Sequence, residues 1–147
     1  MVRPIDDFGG WLRFFQIDNW LVILALIFDI VDLSMGLKDL GTVKAVIRDS
    51  LTIIEFTAYI YMTYKMLNVI QLKSADIPNI ISKLLLTLLI LSASFLVIKM
   101  FVTSEMPMTS VKIMGGEVFY FIAWANYFER SKRVKAYYGA NCNLPFL

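Results

Sequence analysis

Between Lys83 and Lys99, in the run SKLLLTLLILSASFLVIKMF, fifteen consecutive residues carry no charge. The two lysines stand sixteen residues apart, about 24 Å along an α-helix. Their long stems extend that reach at both ends, so the two ammonium groups match the interfaces of a hydrocarbon layer about 30 Å thick. Pro78 falls at the expected helix start, where a missing N–H matters least. A membrane-spanning helix over about 79–101 is the reading this run imposes.

Composition extends it to the rest of the chain. Of the 147 residues 59% are apolar and only 18% are charged, against roughly 45–50% and 25% in an ordinary soluble domain. A chain this short has too much surface for its volume to bury so many Leu, Ile, Phe and Met side chains. Lipid is expected to cover them. The length fits one domain. Asp6 and Asp7 stand where a cleavable signal would be basic, so the first apolar segment is expected to remain in the protein.

Three further spans are predicted, over about 19–37, 49–70 and 115–130. In the first, Phe8, Trp11, Leu12 and Phe15 recur at helical spacing beside the polar Arg13, Gln16, Asp18 and Asn19. That pattern suits a short interfacial helix, with Asp18 or Asn19 capping the span that follows, or a single long tilted helix from Gly10. The stretch TSEMPMTSVKIMGG, with Pro107 and Gly115–Gly116, reads as a loop before the last span. That span is expected to continue into the tail as a basic helical extension. The fold class is therefore an all-α membrane protein with four transmembrane helices.

Four spans place both termini and the 65–83 connection on one side. That side carries nine basic residues, Arg3, Arg13, Lys65, Lys73 and Lys83 followed by Arg130, Lys132, Arg133 and Lys135. The other carries five, Lys38, Lys44, Arg48, Lys99 and Lys112. The positive-inside bias then puts both termini in the cytoplasm. Arg130, Lys132, Arg133 and Lys135 anchor the last helix at anionic lipid head groups of the inner leaflet, each contributing about 1 kcal/mol.

The opening GGWL at Gly9–Leu12 and the closing YFERSKRVKAYY at Tyr127–Tyr138 resemble those of a family of small bacterial four-helix membrane proteins known only as a domain of unknown function. The matching positions are Gly10, Trp11 and Leu12, then Tyr127, Phe128, Ser131, Arg133, Val134 and Lys135. Ala125–Asn126 stand where the family often has an Ile-Pro or similar pair. The resemblance implies a bacterial inner-membrane location and four spans. It implies no activity.

Ionisable residues inside spans are costly and mark candidate sites. Ala25, Asp29, Asp32 and Gly36 lie on one helical stripe, and Arg48, Thr52, Glu55 and Tyr59 on another. Lys99 closes the third span and Glu117 opens the fourth. All belong to the outer half of the bilayer, so Asp29, Asp32, Arg48, Glu55, Tyr59, Lys99 and Glu117 form a candidate intramembrane polar cluster. Paired as ion pairs and hydrogen bonds, these groups hold helices in register, which is the usual finding. Left unpaired, Glu55 or Asp29 would take up a proton or a cation. A third reading turns the stripe toward another protein.

Little else suggests chemistry. The chain has no histidine, the commonest general base and metal ligand. Cys142 is the single cysteine, a spare thiol on this reading, and no GxGxxG, GxxxxGK[ST] or HExxH stretch occurs. Met106 and Met108 around Pro107 are too few to indicate copper. Ser92–Ala93–Ser94 reads as small-residue packing, and Trp11, Trp20, Tyr64, Tyr120 and Tyr127 as interface belts. The expectation is a non-enzymatic accessory or interaction subunit without cofactor. It would associate with the bilayer and with other membrane subunits or itself, and not with nucleic acid. The alternative is a small proton or cation carrier.

Overall fold

The computed structural model describes residues 10–36, 42–72, 74–103 and 108–139. They form five helices, α1 Trp11–Gly36, α2 Val43–Val69, α3 Ile77–Thr103, α4 Met108–Arg130 and α5 Lys132–Tyr138, with no strand among them. Arg3, Lys38, Lys73, Met106, Pro107 and Cys142, to which the sequence reading gave roles, lie outside the described residues, as do the side chains of Met108 and Arg133.

Local chemistry accounts for several boundaries. Gly10 adopts φ 57°, and its carbonyl accepts the amide of Phe14. Thr42 caps α2 by accepting from the Ala45 amide. Pro78 sits in the first turn of α3, as expected. Ser131 breaks the path from α4 into α5 and caps α5 by accepting from the Val134 amide. The basic tail is thus a separate short helix, ended by Gly139 at φ 109°.

Two expectations are corrected here. Neither Asp18 nor Asn19 caps a second helix: α1 runs unbroken through both, about 39 Å long for its 26 residues. That is the long-helix alternative. The stretch from Met108 to Gly116 is helical rather than loop. A glycine in a helix costs only about 1 kcal/mol relative to alanine, so neighbouring helical residues carry Gly115 and Gly116 into α4.

The helices pack in chain order, α1 on α2, α2 on α3 and α3 on α4, with α5 returning onto α3 and α4. Leu12 and Phe15 of α1, Met66 and Ile70 of α2, and Ile77 and Ile81 of α3 are all buried in one apolar cluster. Phe128, Val134 and Tyr138 complete it from the C-terminal side. Alternate helices therefore run in opposite directions, and the start of α1, the α2–α3 turn and the C-terminal helices share one end. The Tyr138 hydroxyl donates to the Ile70 carbonyl at 2.5 Å, closing that end over α2. Lys132 and Lys135 of α5 are exposed while Val134 and Tyr138 point inward.

Much apolar surface remains uncovered. Leu21, Leu24, Phe28 and Val31 on α1 and Ile90, Val97 and Phe101 on α3 are all exposed. A soluble monomer rarely leaves such contiguous apolar faces bare. Among the described helices, α1 and α3 are long and apolar enough to cross a membrane. The helices over the other two predicted spans, α2 and α4, are more polar, because they carry Arg48, Asp49, Glu55 and Lys65, and Lys112 and Glu117.

Candidate functional site

The tight turn between Ile70 and Ile77 sets the register of α2 against α3. In an antiparallel pair, residues equidistant from the turn lie level, and Glu55 and Ser92 are such a pair. Their side chains meet: the Ser92 hydroxyl donates to Glu55 Oε1 at 3.5 Å. Lys99 begins two turns further along α3, but its side chain bends back so that Nζ donates to Glu55 Oε2 at 2.5 Å. This corrects the expectation that Lys99 reaches outward to an interface. It is 6% exposed, and Glu55 is nearly as enclosed.

From α4, Glu117 comes close to Ser92 and Glu55. Glu117 Oε2 is buried with no hydrogen-bond partner among the described residues. Tyr59 stands one turn along α2 from Glu55. Two carboxylates and one ammonium thus converge near the middle of α3, the most apolar helix. Ion pairs in such surroundings persist only where close geometry and hydrogen bonds offset desolvation.

Beside this group is a cavity of about 240 Å³. Glu117, Tyr59, Tyr120 and Asn19 supply its polar lining, and Val22, Met66 and Leu88 much of its apolar wall. The Asn19 amide donates to the Phe15 carbonyl at 2.7 Å and to the Tyr120 hydroxyl at 3.0 Å, joining α1 to α4. Gly116 also lines the cavity; it is exposed, and an added Cβ there would meet nothing within 4 Å.

The structure brings together Glu55, Tyr59, Lys99 and Glu117, and leaves three other predicted cluster residues apart. Asp29 and Asp32 are exposed on α1, with no hydrogen bond or ion pair among the described residues. Arg48, half exposed, pairs with its chain neighbour Asp49 at 2.7 Å rather than with either α1 carboxylate. The physical reason is rotational: α1 turns the Asp29 stripe away from α2. Of the basic tail, Arg130, Lys132 and Lys135 are exposed.

Three contributors escaped the sequence reading. Ser92 passed for packing, Asn19 for a helix cap and Tyr120 for an interface residue. Counting outward from the α2–α3 turn would have set Ser92 level with Glu55. No comparable signal marks the Asn19–Tyr120 contact, which joins residues more than a hundred positions apart.

Residues 5–138 match the family described as protein of unknown function (DUF2569), and the chain belongs to that family. The match takes in Leu12 and Phe128, which are buried in the same cluster. No curated protein and no solved structure matches the chain.

Proposed function

We propose that this DUF2569 protein crosses the bacterial inner membrane four times with both termini cytoplasmic, and serves as a non-enzymatic accessory subunit docking through α1. The bare carboxylates of Asp29 and Asp32, on a helix whose surface is otherwise largely apolar, carry this reading. A carboxylate facing acyl chains is costly and persists where a partner covers it. The partner chemistry that fits is a spanning helix with Arg or Lys in its outer half. In blue-native electrophoresis after gentle detergent extraction, the wild-type chain is expected to migrate in a species larger than a monomer. Asp29→Asn with Asp32→Asn is expected to release it as the monomer. A wild-type monomer, or a variant that stays fully assembled, sinks the reading.

A second reading, proton or cation transport, is favoured by the acid surplus around Lys99 and the orphaned oxygen of Glu117. Intramembrane carboxylates without a partner are the groups that mark proton and ion pathways. In proteoliposomes under an imposed proton or cation gradient, wild-type flux is expected to exceed that of empty liposomes. Glu55→Gln and Glu117→Gln are expected to return it to background. Flux at background in all three proteins ends this reading.

A further inference from the structure

We propose that the partner covering Asp29 is a second copy of this chain, which brings its Lys112 to that carboxylate and receives Lys112 of the first copy on its own Asp29. The inference rests on the docking reading and names its partner. The occupant of the bare α1 face is then α4 of the other copy.

Two exposed stripes border one seam. On α1, Val22 lines the cavity described above, and Ala25, Asp29 and Asp32 continue its face toward the end of the helix. On α4, Gly116 lines the same cavity, and Lys112 stands one turn before it on the same face. Asp29 and Lys112 are both exposed, and neither forms an ion pair among the described residues. The helices α1 and α4 are the outer members of the packing order. They meet through Phe15 with Trp124 and Asn19 with Tyr120. Gly115 and Gly116 are exposed, with open space where a Cβ would stand, so a further helix approaches α4 closely there.

Depth matches as well as charge. The contact of Asn19 with Tyr120 makes those two residues level. Counting outward from them, Asp29 stands about 15 Å along α1 and Lys112 about 12 Å along α4. A two-fold axis along the membrane normal leaves the depth of every residue unchanged. It sets Asp29 of each copy level, to within about 3 Å, with Lys112 of the other, and forms the pair twice. Aspartate is too short to carry its charge out of an apolar layer, so a cation must come to it, and the long lysine stem spans the remaining distance. Other described cations of that half do not fit. Lys99 is held by Glu55 and Arg48 by Asp49. Lys44 lies about 30 Å along α2 from Tyr64, whereas Asp29 lies about 14 Å along α1 from Trp20, the ring that meets Tyr64.

The test uses the full chain with Cys142→Ser, expressed as two separately tagged copies in one membrane. One copy bears Asp29→Cys and the other Lys112→Cys, and the membranes are oxidised with copper phenanthroline. A disulfide-linked dimer carrying both tags is expected. Val31→Cys, exposed on the opposite face of α1, is expected to give none when it replaces Asp29→Cys. In copies without introduced cysteines, capture through one tag is expected to recover the other. Asp29→Lys on both copies, or Lys112→Asp on both, sets like charges together and is expected to lower that recovery about tenfold or more. The two exchanges combined on every copy are expected to restore it, which also shows that the exchanged chains fold. No linked dimer, equal linking from Val31→Cys, or a double exchange no better than the single ones overturns the proposal. A wild-type species larger than a monomer that carries one tag alone also overturns it and leaves the docking reading standing. A wild-type monomer removes both.

Discussion

Replacing Lys99 by methionine is expected to destabilise the bundle by about 3–5 kcal/mol, one of two effects that distinguish this packing from alternatives. Methionine keeps most of the stem's volume and removes the ammonium that donates to Glu55 Oε2. Glu55 is then left enclosed between α2 and α3, with the Ser92 hydroxyl as its remaining hydrogen-bond partner among the described residues. The cost is that of an uncompensated buried charge rather than of a lost attraction. Replacing both partners, Glu55→Leu with Lys99→Met, is therefore expected to recover most of the loss, because an apolar pair of similar volume needs no desolvation. Thermal unfolding in detergent, followed by circular dichroism, compares the wild type with the two variants. A Lys99→Met protein as stable as the wild type would show that the ammonium is not paired inside the bundle.

Phe15→Ala is expected to cost about 3–5 kcal/mol by the same measurement. Phe15 is 0% exposed. Its ring lies 4.5 Å from that of Trp124 and 5.4 Å from that of Phe128, edge to face in both cases. Those contacts tie the first helix to the fourth where the two chain ends converge, and truncation leaves a cavity that the neighbouring rings fill only partly. Phe28→Ala on the same helix is the control. Phe28 is 66% exposed, so its loss is expected to fall within about 0.5 kcal/mol. Equal losses at the two positions would mean that the aromatic end is not the core of the protein.

Several features were legible before any coordinates. The run from Leu84 to Ile98 was readable as a helix, because fifteen uncharged residues exceed the roughly 9–11 of a membrane-spanning strand and suit a spanning helix. The break in YFERSKRVKAYY was legible in part. Its charges marked an exposed face, but the cap at Ser131 and the inward Val134 and Tyr138 were not anticipated. Less was visible in α4, where Gly115–Gly116 resembled a loop and proved to be helix. Local propensity of about 1 kcal/mol per glycine is a weak signal against packing on a neighbouring helix.

What the amino-acid order settled alone was the helical class, the position of α3 and the basic character of one end, since each follows from local composition and period. Helical period also grouped Asp29 with Asp32 and Glu55 with Tyr59, because residues three and four apart share a face whatever surrounds them. It could not say where those faces point. The rotation of each helix about its axis is chosen by contacts between distant segments, and only the folded bundle turned Asp29 and Asp32 outward. The same packing bent Lys99 inward and set the Ser92 hydroxyl against the same carboxylate, Glu55.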